Sequence, residues 1–287
     1  MKKHKICKIL LVILAIFLCV AFYELLGICV AYKKQPEVSN TTKKETKNGS
    51  WNECSENTER AVIIEKNPEA LLQRVRLIKN AKKEIILSTF AFQSDESGKL
   101  ILGALHDAAD RGVHVRLLVD GMESWVDMEG NPYFYGLSSH ENVEIKLYNK
   151  ANPLKPWKMM GRMHDKYLIA DGKTYILGGR NTYNYFLGDF PGHKNYDRDV
   201  LVVCDEPEKE NSVNQLLEYF ETIWEQEDSG YFHDNKKLAN RKSVKNAVLE
   251  LQNGYQKYFE ENKERICDTD YTDETFETEK IALVSNP

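Results

Sequence analysis

Apolar residues run from Ile9 to Tyr32 with a single charge, Glu24, among them. About 24 residues rising 1.5 Å each cover a hydrocarbon core of roughly 30 Å, so the pattern predicts a transmembrane helix. A cleaved signal peptide is the alternative, but the run is long for its apolar region and no small-x-small site follows. Lys2, Lys3, Lys5 and Lys8 precede the helix and Lys33, Lys34, Lys43, Lys44 and Lys47 follow it, so the flanking charges do not fix its orientation. A signal anchor would leave the N-terminus inside and the body outside. Residues 33–58 are polar without an apolar period and read as a flexible tether.

From Arg60 the pattern alternates between strand and helix. Asn67-Pro68-Glu69 starts a helix whose stripe is Leu71, Leu72, Val75, Leu77 and Ile78. Strands are predicted at 84–93, 113–119, 143–148 and 200–204, with a helix opening at Ser97 and closing at Gly112. Pro207 to Gln226 reads as a helix burying Leu216, Leu217, Phe220, Ile223 and Trp224, and 244–265 as another. Strands separated by helices imply an α/β fold, a mixed sheet with helices on both faces.

One stretch concentrates the chemistry. In Met163–Asn181, His164, Lys166 and Leu168 share one face of an extended segment, because strand side chains alternate. Asp171-Gly172 is a turn signal, and 173–177 returns as a second strand ending at Gly178-Gly179. Asn181 is thereby brought near His164 and Lys166. A neutral imidazole can attack phosphorus while an ammonium and an amide hold the non-bridging oxygens. No metal or other cofactor is required by that chemistry.

The six positions His164, Lys166, Asp171, Gly178, Gly179 and Asn181 resemble the signature of the phospholipase D superfamily, His-x-Lys-x4-Asp-x6-Gly-Ser-x-Asn, with Gly179 where Ser is usual. The flanking Arg162-Met163 and Arg180 look most like the cardiolipin synthase branch, and the resemblance extends over roughly 60–205. It implies a covalent phosphohistidine at His164, with Lys166 and Asn181 binding phosphate. It also implies an acidic residue that orients the histidine, for which Asp199 is the choice and Asp197 the reserve. Asp171, Gly178 and Gly179 take structural roles. The chain departs from the family in holding one His-x-Lys where the enzymes use two. A second half would come from further C-terminal chain or from a homodimer.

The implied organisation is an anchor (1–32), a tether (33–58), the first phospholipase D-like half (59–228), a helical extension (229–267), and an acidic linker with the first strand of a second half (268–287). Charge narrows the partners. The net charge is −5, yet residues 1–50 hold nine Lys against three Glu, which leaves −11 for the remainder. An acidic body argues against broad nucleic-acid binding. Near the motif Lys155, Lys158, Arg162, Lys166, Lys173 and Arg180 face only Asp165 and Asp171, either a solvated surface run or a basic pocket suited to a small or membrane-embedded phosphate group. The loop 149–161 carries Trp157, Met159 and Met160, which pack on one another or line an acyl-chain entrance. Six cysteines fit no zinc spacing; Cys204 is expected to be buried, and Cys54 and Cys267 are the one pair that could bridge. The enzyme reading, hydrolysis or transfer at a membrane phospholipid, stands against a single-motif nuclease acting as a dimer and a non-catalytic membrane protein that keeps the fold.

Overall fold

The computed structural model describes residues 2–33, 40, 43–44, 59–204, 206, 211–233, 236–279 and 281–283. Its frame is one mixed sheet of β1 (Glu59–Ile64), β2 (Glu84–Thr89), β3 (His114–Asp120), β4 (Val143–Tyr148), β5 (Lys166–Ala170), β6 (Thr174–Gly178), β7 (Asp199–Cys204), β8 (Ser229–Tyr231) and β9 (Phe276–Thr278). The spatial order is β8-β4-β3-β2-β5-β6-β7-β1-β9. β2, β3 and β4 run parallel, and the other neighbours pair antiparallel.

The parallel trio follows from helical crossovers, since a tight turn can only reverse a strand. α2 (Asn67–Asn80) leads into β2, and α3 (Glu96–Asp110) joins β2 to β3. Two short helices, α4 (Gly121–Asp127) and α5 (Pro132–Ser138), join β3 to β4 in a stretch whose apolar pattern predicts no element. α2 starts at Asn67, with Lys66 at its N-cap and Pro68 one residue later than expected, in the second helical position. α3 starts one residue before Ser97, because the Asp95 carboxylate caps it by accepting from Gly98 N at 3.1 Å. Gly112 ends it with φ +88°, a conformation that favours glycine.

Each sheet face carries its own apolar cluster, as a sheet with helices on both sides requires. On one face α2, α3, α5 and α7 (Lys242–Glu261) cover Leu87, Leu117, Ile145, Leu168, Ile176 and Leu201. On the other, α6 (Ser212–Trp224) lays Val213, Leu216, Phe220 and Trp224 against Ile86, Leu118, Ile169 and Val202. Cys204 is buried in this second cluster. α6 is capped by Asn211; Pro207, its expected start, lies outside the described residues, as does Cys54. The helix expected over 244–265 breaks at Asn262 into α7 and α8 (Lys263–Cys267).

The C-terminal stretch departs from its sequence reading. In place of an acidic linker, residues 268–278 pack on the body, with Asp268 and Glu274 holding the buried guanidinium of Arg76 at 3.4 and 2.8 Å. Tyr271 lies under the same group at 4.0 Å. A buried arginine needs anions around it, which is what gives this acidic run a fixed place. Phe276–Thr278 then pairs with β1 as the sheet's edge strand β9. Ile281 and Leu283, expected to open a fresh strand, pack beside α6, and Leu283 N donates to Gln215 Oε1 at 2.8 Å. Nor is 229–267 a separate extension: Ser229–Tyr231 pairs with β4, and α7 packs on α3 and α5.

α1 (Lys2–Lys33) is long and apolar enough to cross a membrane. Ala21, Glu24, Gly27, Ile28 and Ala31, one helical stripe, are its least exposed positions. Tyr23 Oη donates to Leu154 O at 2.9 Å, and Gly27 sits so close to Pro156 that a Cβ would fall 2.3 Å from that ring.

Candidate active site

The motif folds as a hairpin. β5 and β6 pair with Tyr167 opposite Leu177 and Ala170 opposite Thr174. The turn is Asp171-Gly172, both with positive φ. The Asp171 carboxylate accepts from the backbone N of Lys82, Lys83 and Glu84 at 2.8, 2.7 and 3.0 Å. Its role is thus larger than closing a turn: it ties the hairpin to the entrance of β2. β2 pairs with β5 so that Thr89 faces Lys166, which sets the exit of β2 beside the residues preceding β5. The site forms there, at the edge carrying the carboxyl ends of the parallel strands, where α/β sheets present their ligand crevices.

His164 is exposed just ahead of β5, its ring edge-on to Phe90 with centroids 4.7 Å apart. Loss of water around the ring lowers its pKa below the usual imidazole value, and the Lys166 ammonium lowers it further. The imidazole is therefore neutral at pH 7. Lys166 is buried, and its Nζ donates to the backbone O of His164 at 2.7 Å while lying 5.5 Å over the Phe90 ring. Burial depresses its pKa against the pull of Asp165 and Asp197.

Arg162 completes the rim, its guanidinium 5.0 Å over Phe90 and held by Asp120 at 2.7 Å and Glu123 at 3.0 Å. The buried Asp120 also caps α4 through Met122 N and Glu123 N and accepts from Met163 N at 3.1 Å. This carboxylate, which fixes the backbone next to His164, was missed by sequence reasoning; its signal was an Asp-Gly pair at a strand end. Phe90 carried no signal, because its place depends on how β2 meets β5.

Asn181 is buried, and its Oδ1 accepts from Ala91 N at 3.2 Å, one residue beyond Phe90. That bond leaves the amide NH2 as the end able to donate to a ligand. Asp199, opposite Gly178 in the sheet, is held by two arginines. Its Oδ2 is 2.9 Å from Arg74 Nη1 and 3.2 Å from Arg180 Nη1, all three residues being buried. The contact expected between Asp199 and the imidazole is not among the described contacts, because the carboxylate is committed to two guanidiniums. Two carboxylates border the glycine pair: a Cβ on Gly179 would fall 2.1 Å from Asp197 Oδ2. A Cβ on Gly178 would fall 2.1 Å from Asp199 Oδ1. Both glycines are thus sites of close approach.

The expected basic pocket does not assemble as a unit. Arg180 turns inward to Ile64 O, Glu65 O and Asn67, Lys158 pairs with Asp228 at 2.6 Å, and Arg162 pairs with Asp120. Of that run it is Lys166 whose ammonium touches His164. Asp165 accepts from Tyr219 Oη at 2.9 Å, and burial raises its pKa.

A mixed sheet between helices, with a His-x-Lys pair at its parallel carboxyl edge, defines a phospholipase D-like half-domain. Residues 74–224, more than half of the chain, match the family model described as cardiolipin synthase, PLD-like domain, and the chain belongs to that family. An uncharacterized protein of Helicobacter pylori is 31% identical over 212 residues, 69% of this chain and 39% of that protein. Cardiolipin synthase C of Escherichia coli is 29% identical over 171 residues, 55% of this chain and 34% of that enzyme. The chain thus spans well under half the length of these relatives. Among solved structures, phosphatidylserine synthase of Haemophilus influenzae shares the fold at TM-score 0.50 and 18% identity, covering 77% of this chain and 48% of that one.

Proposed function

We propose that the chain supplies a half-site of a cardiolipin synthase-like enzyme acting on membrane phospholipids through a phosphohistidine at His164. The observation that supports this reading is the neutral, exposed imidazole set beside the buried Lys166 ammonium on one aromatic support. In the first step the imidazole attacks phosphorus, the bond to the leaving oxygen breaks, and that alkoxide takes a proton from a general acid. Lys166 and the Asn181 amide hold the non-bridging oxygens as charge grows on them. An alcohol then attacks the phosphohistidine and passes its proton to a base, giving a new diester and free imidazole; water in its place gives phosphatidic acid.

General acid help of this kind contributes about 10²- to 10⁴-fold. The chain carries one His-x-Lys, so the acid belongs to a second motif, from further C-terminal sequence or a second copy. α1 anchors the site beside its substrate, which raises effective concentration without any new contact, with the body on the extracytoplasmic side.

The test is to reconstitute the full chain in phosphatidylglycerol vesicles labelled in the phosphate and to quench in alkaline detergent, where the bond from phosphorus to imidazole nitrogen persists. Label on His164, lost in His164→Ala without loss of fold, supports the reading. Turnover that survives His164→Ala, or DNA cleavage in place of lipid turnover, refutes it.

A further inference from the structure

The stripe that α1 turns to the body leads to a cavity of about 580 Å³ walled by Glu24 and Ile28 of α1, Met122 and Trp125 of α4, and Lys150 and Met159 of the loop after β4. That volume falls in the range of about 300–1,000 Å³ usual for small-ligand sites. Measured along α1 from Ile9, Ile28 lies about 28 Å on, at the far boundary of a hydrocarbon core of roughly 30 Å. A cavity at that depth is level with the membrane–water boundary. The side chains around it agree: Trp125, Val126 and Leu154 are 65, 74 and 77% exposed, and Trp157 and Met160 are exposed beside them. Exposed tryptophans in such a collar match the membrane–water interface, where the indole ring finds both its media.

The cavity shares a wall with the catalytic rim. α4 presents Met122 and Trp125 to the cavity, while its cap, Asp120, holds Arg162 and the backbone of Met163. The lining is not uniformly apolar: Glu24, Glu129 and Lys150 border it, and Lys150 Nζ donates to Tyr231 O. Apolar walls with charges at the margin suit an amphiphile better than a wholly apolar molecule.

We propose that this cavity holds one acyl chain of a membrane phospholipid, seating the catalytic edge of the sheet in the interface with the head group towards His164. The inference rests on the reading of the substrate as a membrane phospholipid. It requires the loop 149–161 and α4 to be immersed alongside α1.

The experiment uses the full chain in phosphatidylglycerol vesicles doped with a phospholipid bearing a diazirine midway along one acyl chain. After irradiation, adducts should appear on Met122, Trp125 and Met159 as well as on α1. Ala151→Trp, which places an indole in the cavity, should cut those body adducts by about fivefold or more and leave adducts on the part of α1 before Glu24 unchanged. Met159→Trp fills the cavity from another wall and serves if the first variant does not fold. Adducts confined to α1, or undiminished body adducts in a folded filling variant, would overturn the proposal. His164→Ala should label like the parent, so loss of the phosphohistidine reading and loss of the acyl site are separate results.

Discussion

The imidazole of His164 meets the phenyl ring of Phe90 edge-on, at 4.7 Å between centroids and 68° between planes. Lys166 and Arg162 lie over the same phenyl ring at 5.5 and 5.0 Å, so one aromatic ring gathers the imidazole and two cations. A ring placed there removes water from the imidazole and limits its rotation.

That relationship fixes a pH profile. If His164 is the nucleophile it attacks only when neutral, and its pKa is lowered, so kcat/KM for the assembled enzyme should fall on the acid side through a value below the ordinary imidazole pKa of about 6.5. Phe90→Ala restores water and Lys166→Met removes a neighbouring charge, so each should move this limb upward. Lys166→Met should also cost about 10²- to 10³-fold in kcat, and Asn181→Ala a similar factor. An acid limb that stays put in both Phe90→Ala and Lys166→Met would mean that another group governs it.

Asp171 is expected to act on stability. Asp171→Ala leaves three backbone N–H groups, two exposed and one partly buried, without their acceptor, so the cost should lie towards the low end of about 1–3 kcal/mol. Urea unfolding should show the loss, with Asp171→Asn milder because one oxygen remains. Turnover per folded molecule should change less than about twofold, in contrast to the factor expected for a charge-stabilising donor.

Asp199→Asn should destabilise far more. It leaves Arg74 and Arg180 buried without their anion, and breaking a buried pair by removing one partner costs about 3–5 kcal/mol. Thermal unfolding measures this, and the acid limb of the rate profile in whatever folds should match the parent. A shifted limb with full stability would return Asp199 to the histidine.

Gly179 and Asp197 should be coupled. A Cβ at 179 would lie 2.1 Å from Asp197 Oδ2, so Gly179→Ala must displace that carboxylate. If Asp197 is the acidic residue of the site, Gly179→Ala and Asp197→Ala each lower kcat, and the double variant is no worse than the poorer single one. Fully additive losses would show that the two act independently.

Asp165→Asn tests a buried charge. The folded-state pKa of Asp165 is raised, so the parent's folded state is favoured as the carboxyl takes up a proton and is penalised once it ionises. The variant, which keeps an acceptor for Tyr219, should therefore melt higher than the parent at pH 7. The gap should close towards pH 3–4, where both side chains are neutral.

Local sequence determined much of this protein. The apolar run from Ile9, the Pro68 helix start, the Asp171-Gly172 turn and the strand at 143–148 are each written in a few adjacent residues, because propensity, turn chemistry and side-chain period act over that range. The spacing from His164 to Asn181 likewise carried the family. What it could not reach were partners far apart along the chain. Asp197 and Asp199 are two residues apart and alike in sequence; only the approach of Arg74 and Arg180 assigns one of them to a buried ion cluster. The acidic run 268–278 has the composition of a linker, and becomes ordered because Arg76, some 190 residues earlier, is buried where it needs anions. Phe90 joined the site because the pairing of β2 with β5 puts Thr89 opposite Lys166, a register set by the sheet as a whole.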